Sequence, residues 1–180
     1  MKLIFLGIQG SGKSTQAKSA AQKLEVPAID MGQLFRDRAK EGDPEALEIR
    51  KALEIGNLVS DEVAIDTLGK RLSRSDCTNG FVLDGYPRNC AQLEGLEGDI
   101  DRVFYIKVSD QEGIARLIKR ARHDDSPAVL KRRLEVYHEE TKPLLVHFAK
   151  NGILKEIDGE RTIEEIRQEI ERRIANYAKG

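Results

Sequence analysis

The sequence predicts an α/β fold, a parallel five-stranded sheet with helices on both faces. Three observations carry that reading. Short continuous apolar runs recur at Leu3–Leu6, Phe81–Leu83 and Val103–Ile106, with weaker ones at Val26–Ile29 and Ile153–Ile157. Apolar runs without alternation belong to strands covered on both faces. Helical spacing fills the stretches between them, so strand and helix alternate along the chain. The first run leads directly into a glycine-rich turn, GIQGSGKST at Gly7 to Thr15, which opens onto a helix.

That turn has the pattern G-x-x-x-x-G-K-[ST], with Gly7, Gly12, Lys13 and Ser14 at the fixed positions and an extra glycine at Gly10. Several backbone N–H groups can converge on a phosphate only where the loop has no side chains at its bends. Lys13 supplies a mobile cation to the outer phosphates, and Ser14 can supply an oxygen to Mg²⁺. Gln16, Ala17, Lys18, Ala20, Ala21 and Leu24 read as the following helix, whose N-terminal partial charge adds to anion binding.

After the second strand, helical patterns cover about 30 to 73, with breaks near Gly42-Asp43-Pro44 and Gly56-Asn57. This polar insert should project from the sheet as a small subdomain. The third strand ends in Phe81-Val82-Leu83-Asp84-Gly85-Tyr86-Pro87-Arg88. A carboxylate at the C-terminal end of a strand beside a phosphate loop is placed to hold Mg²⁺ through its water shell. Helical patterns follow at about 89 to 97 and, after the fourth strand, 110 to 120. A long helix starts at Ser126-Pro127, with Asp125 or Ser126 as N-cap and Pro127 in the first turn. Leu130, Leu134, Tyr137, Leu144 and Phe148 keep helical spacing, and Pro143 predicts a kink rather than a stop. Ile163, Ile166, Ile170 and Ile174 mark one face of the last helix.

At 180 residues the chain is long enough for one well-buried core. Lys+Arg 30 against Asp+Glu 31 leaves a net charge of −1, so no global basic field points to nucleic acid. No segment approaches the roughly 20 apolar residues of a membrane span, and the short apolar N-terminus does not read as a signal peptide. Cys77 and Cys90 stand apart, without a C-x-x-C or Cys/His cluster, so neither zinc nor a disulfide is indicated and buried thiols in a reducing cytosol are expected. His138 and His147 have no ligand cluster at metal spacing, and His123 is expected at the surface.

Taken together, GIQGSGKSTQA and GFVLDGYPR resemble the adenylate kinase family of nucleoside monophosphate kinases. The likeness runs along nearly the whole chain: Gly32-Gln33-Leu34-Phe35-Arg36, Gly56-Asn57-Leu58-Val59-Ser60-Asp61, Arg88 with Gln92, Arg116 with Arg120, then Arg122-His123-Asp124-Asp125, Lys131-Arg132-Arg133, Tyr137, Thr141 and Pro143. The resemblance implies a P-loop NTPase-type fold and reversible phosphoryl transfer from Mg-ATP to AMP by a cytoplasmic enzyme, a monomer or small homo-oligomer with no nucleic-acid or membrane partner. UMP and CMP are the rival acceptors, and a nucleotide-binding module without turnover is the alternative of another class. A GTPase would need N-K-x-D, which does not occur.

The resemblance also implies roles for particular residues. Gly10, Ser11, Gly12, Lys13, Ser14 and Thr15 would cradle the ATP phosphates, with Arg116 and the main chain near Arg161 beside the donor adenine. Asp84 would hold water on Mg²⁺. Arg36 and Arg88 would grip the acceptor phosphate, and Gln92 would read its base in a pocket lined by Asn57, Leu58, Val59, Gly85 and Tyr86. Arg120, Arg122 and Arg133 would surround the transferring group.

The sequence departs from the family at two places. Met31 and Gln33 stand near the acceptor base where threonine and aspartate are usual. Arg120 and Arg122 normally flank a lid, yet only Ala121 separates them here. A residue spans at most ~3.6 Å, so residues 121–125 form a vestigial loop that cannot fold over a nucleotide. A 30–59 NMP-binding subdomain and no lid domain are therefore expected.

Overall fold

The computed structural model describes residues 1–96, 100–120 and 126–177. Among these, five parallel strands form one sheet: β1 (Lys2–Leu6), β2 (Ala28–Asp30), β3 (Phe81–Asp84), β4 (Arg102–Lys107) and β5 (Leu154–Asp158), in the order β2-β3-β1-β4-β5. The helices are α1 (Lys13–Leu24), α2 (Met31–Arg38), α3 (Pro44–Ile55), α4 (Asp61–Leu72), α5 (Asp110–Arg120), α6 (Pro127–Val136), α7 (Pro143–Lys150) and α8 (Ile163–Tyr177).

β1 is central, with Ile4 in register with Leu83 on one side and Val103 on the other. Successive side chains point to opposite faces, and both faces are covered, which accounts for the unbroken apolar run. Leu3 and Phe5 pack with Val82, Phe104 and Ile106 against Ala17, Ala20 and Ala21 of α1 and Ile166, Ile170 and Ile174 of α8. Ile4 and Leu6 pack with Leu83 and Val103 against Ala64 and Leu68 of α4 and Leu144 and Phe148 of α7. From β1 the chain goes outward to β2, returns through β3, then crosses to β4 on β1's other side. The order reverses beside β1, and the crevice beyond the strand ends at such a point is where α/β sheets take ligands.

Several boundaries differ from the sequence reading, each for a local reason. β2 begins at Ala28 rather than Val26. The Val26 N–H donates back to Ala21 O at 3.1 Å to close α1, and Pro27 has no N–H to give. β5 begins at Leu154 because the Ile153 N–H donates to Phe148 O at 3.2 Å, finishing α7. The helix expected at 89 to 97 is only a 3-10 turn, Ala91–Gly95. Side chains there compete with helical bonding: Asn89 Oδ1 accepts from the Gln92 N–H at 3.1 Å, and the Tyr86 hydroxyl donates to Gln92 O at 2.6 Å.

The breaks inside 30–73 fall where expected, and Asp43 caps α3 by accepting from the Ala46 N–H at 3.0 Å. Ser126 caps α6, accepting from the Val129 N–H at 3.4 Å, whereas Asp125 lies outside the described residues. Pro143 neither stops nor sharply breaks the long helix. A π-helical turn over Tyr137–Thr141 precedes it, closed by a 2.8 Å bond from the Lys142 N–H to Tyr137 O. The wider turn takes up a proline that has no N–H and would crowd the preceding carbonyls. Cys77 is buried as expected, but Cys90 is exposed on the 3-10 segment.

The 30–59 segment meets the long helix at Gly56. It ends α3 at φ 78°, and a Cβ there would lie 2.9 Å from Val129 O of α6. Gly56→Ala is expected to destabilise the protein by about 1–3 kcal/mol, since it adds left-handed strain to a clash with backbone. Gly42→Ala, with open space around it, should stay near zero; urea unfolding of the two variants compares them.

Candidate active site

Above the ends of β1 and β3 lies a cavity of about 420 Å³, lined from the turn after β1, α2, the α3–α4 connection, the end of β3, α5 and the long helix. The glycine turn forms its floor. Gly10 and Gly12 hold φ 84° and 87°, and Gly12 caps α1 with no side chain over its first N–H groups. A Cβ on Gly10 would fall 2.2 Å from Gly113 O, so the loop lies directly on the backbone of α5. Ser11 is buried and its hydroxyl accepts from the Lys13 N–H at 3.4 Å; it shapes the loop and does not face the cavity. Ser14 and Thr15 do face it.

Lys13 and Asp84 are buried at the centre, with Arg88 half-buried beside them. Lys13 is 7% exposed, and its ammonium donates to Ile8 O at 3.2 Å. Burial pulls its pKa down to about 8, partly offset by the neighbouring carboxylate of Asp84. Burial likewise lowers Arg88, against the attraction of Asp84 and Asp30. Asp84 is 5% exposed, and among the described residues its Oδ1 has no hydrogen-bond partner. An acceptor oxygen left bare beside a phosphate loop suits an outer-shell bond to water on a hard cation, and Ser14 supplies a second oxygen, so these residues fit Mg²⁺.

Arg88 is held through its main chain. Its N–H donates to Gln92 Oε1 at 2.8 Å, its carbonyl accepts from the Thr141 hydroxyl at 2.6 Å, and its Nε donates to Gly85 O at 2.8 Å. Arg36 is oriented by Gln33, whose Oε1 accepts from Nε at 3.2 Å and Nη2 at 2.9 Å, with Asp30 at 3.9 Å. Gln33 thus aims Arg36 with a neutral acceptor, leaving the guanidinium charge for a ligand. Arg120 and Arg133 line the same cavity, as do Asn57, Leu58, Val59 and Gly85. Arg132 Nε donates to Asn57 Oδ1 at 2.8 Å. Arg116 is on the wall too, bonded to Glu112 at 2.7 Å and to Gly159 O at 2.9 Å.

The other expected residues lie elsewhere. Met31 is fully buried in the core with Ile29 and Leu83. Tyr86 is buried with its hydroxyl on Gln92 O. Gln92 is 2% exposed, and both ends of its amide are engaged, Oε1 by Arg88 and Nε2 by Asp61 Oδ1 at 2.8 Å. The Arg161 side chain turns away to Glu169 and Asp158, although the loop before it touches Arg116. Arg122 and the vestigial loop 121–125 lie outside the described residues.

Sequence reasoning gave no role to Asp30, Phe35 or Lys18, which also face the cavity. For Asp30 there was a signal: it ends β2 and caps α2, accepting from the Gln33 N–H at 2.9 Å. His138 is not simply solvated, since Nε2 sits 2.9 Å from Asp110. Among the described residues no group of His, Cys, Asp and Glu could hold a metal by itself, and no helix is long and apolar enough to cross a membrane.

Known proteins share this arrangement in sequence. The family model described as adenylate kinase matches residues 5–153. An adenylate kinase of Pseudarthrobacter chlorophenolicus is 38% identical over 176 aligned positions, covering 92% of each chain. One from Chelativorans sp. is 35% identical over 188 positions, 95% of this chain and 97% of the relative. One from Clostridium botulinum (strain Loch Maree) is 34% identical over 204 positions, 92% of this chain and 94% of the relative. With a match this long, falling on the loop, the buried aspartate and the arginines that share one cavity, the chain belongs to the adenylate kinase family.

Proposed function

We propose that this protein is a cytosolic phosphotransferase that moves the γ-phosphoryl group of Mg-ATP reversibly to AMP, giving two ADP. The observation that carries the proposal is the set of cations lining one cavity, Lys13, Arg36, Arg88, Arg120 and Arg133. Phosphoryl transfer asks little covalent chemistry of a protein. It asks that two repelling anions be held in line, with positive charge where the transition state spreads its own. Arginine suits the task because its planar fork binds phosphate oxygens in pairs and stays charged. Ser14 and, through water, Asp84 would hold Mg²⁺, which would supply positive charge to the phosphates. The backbone of the 10–15 loop would take the donor phosphates, and Arg116 would lie against the donor base.

The 30–59 segment is read as the acceptor subdomain. Gln92 is engaged within the fold, so the acceptor base would meet chiefly the main chain at 57–59 and Gly85. AMP remains the favoured acceptor on family grounds, with CMP and UMP as rivals. In Mg²⁺ buffer, ATP plus AMP should yield ADP, with AMP outpacing CMP, UMP, GMP and dTMP. Lys13→Ala should lower kcat at least about 100-fold. No ADP from any acceptor would overturn the enzyme reading, and preference for a pyrimidine monophosphate would move the acceptor.

The donor side has only residues 121–125 between the end of α5 and the Ser126 cap. The alignment with the Clostridium relative spans 204 positions against 180 residues here, so that relative carries residues this chain lacks. A missing lid removes the usual means of excluding water. ATP hydrolysis without acceptor should therefore run faster than in a lidded relative assayed alongside, and equal rates would show that something else covers the site.

Lys13 makes the site pH-sensitive. Its pKa of about 8 lies below its ordinary 10.5, so between those values the unfolded chain binds more protons and the substrate-free protein gains stability as pH rises. Phosphate binding needs the charged ammonium, so nucleotide affinity runs the other way and should fall above about pH 8. Calorimetry near pH 8.5 in buffers of differing ionisation enthalpy should show proton uptake on ATP binding; affinity flat up to about pH 9.5 would contradict it.

A further inference from the structure

We infer that Thr141 is a positioning residue for Arg88, acting across the cavity from the π-helical turn. The inference rests on the reading of Arg88 as a phosphate-gripping group.

Thr141 is 2% exposed, and its hydroxyl donates to the Arg88 carbonyl at 2.6 Å, 53 residues away in sequence. A threonine inside an ordinary helix commonly turns its hydroxyl back onto the carbonyl four residues earlier. Here that carbonyl belongs to Tyr137 and is taken by the Lys142 N–H at 2.8 Å, the bond that makes the turn π-helical. The Thr141 hydroxyl reaches instead to the loop after β3. The same loop is secured from its other side, where Gln92 Oε1 accepts from the Arg88 N–H while Asp61 anchors the amide nitrogen. Arg88 thus has both main-chain polar groups occupied by side chains, one from Gln92 four residues on and one from Thr141 in the remote π-helical turn. Its guanidinium is aimed by the frame around it, with Nε on Gly85 O. Arg88 is partly buried on the cavity wall, so a swing of its main chain would carry the fork out of line with a phosphate held there.

A merely structural bond would cost stability and nothing else, so the test must read chemistry. In Thr141→Val, kcat/KM for AMP should fall about 10- to 100-fold. The KM for ATP should move less than about twofold, and Thr141→Ser should recover most of the loss. The decisive comparison is in an Arg88→Ala background, where adding Thr141→Val should change kcat/KM by less than about twofold, since the group it positions is gone. All assays are run well below each variant's unfolding midpoint, and Thr141→Ala carries the same expectations should the valine variant not fold.

Unchanged AMP kinetics in Thr141→Val, equal losses for both nucleotides, or a further loss in the Arg88→Ala background would each overturn the inference; the last would mean that Thr141 touches substrate itself. If Arg88→Ala alone loses little activity, it is the reading of Arg88 that fails, and this inference falls with it.

Discussion

Buried Lys13 and half-buried Arg88 have two carboxylates, Asp84 and Asp30, as their near counter-charges. Taking a cation out of water is unfavourable, and both groups show it in depressed proton affinity. The rest of the molecule follows from keeping them there. The sheet ends bring β1's loop, β2's last residue and β3's last residue to one place, and the parallel register sets Asp30 beside Asp84. Before substrate arrives, the site is short of negative charge. A phosphate supplies what the fold withholds, and this is why the same burial that strains the free protein favours the complex.

Burial also separates aiming from gripping. Groups that grip stand on loops and helix faces around the cavity, while groups that aim are neutral: Gln33 for Arg36, Gln92 and Thr141 for Arg88. The carboxylates near these arginines stand farther off, with Asp30 at 3.9 Å from Arg36, so the direct hydrogen bonds come from neutral groups. Neutral acceptors orient a guanidinium and leave its field nearly whole.

What could be read from the sequence was whatever has a local cause. The glycine turn, the three strong apolar runs, the break at Gly42-Asp43-Pro44 and the Ser126 cap are short-range chemistry, and they appear where the spacing puts them. Aspartate 84 and Arg36 were legible because strand end and helix face determine direction. The burial of Gln92, Met31 and Tyr86 away from the cavity lining was not legible, for the opposite reason. Their surroundings are assembled from distant segments, with Gln92 claimed by Asp61 from α4 and Met31 by the strands beneath it. The π turn was equally hidden: Pro143 announces a disturbance, but not which carbonyls the chain will give up to absorb it.

The contact between Gly10 and Gly113 joins the glycine turn to α5, parts that are remote in sequence. Neither position has room for a methyl group, so the turn and the helix bearing Arg116 meet backbone to backbone. A side chain at either position would push the turn and α5 apart, so sequence change beside this cavity is confined to surfaces away from the seam.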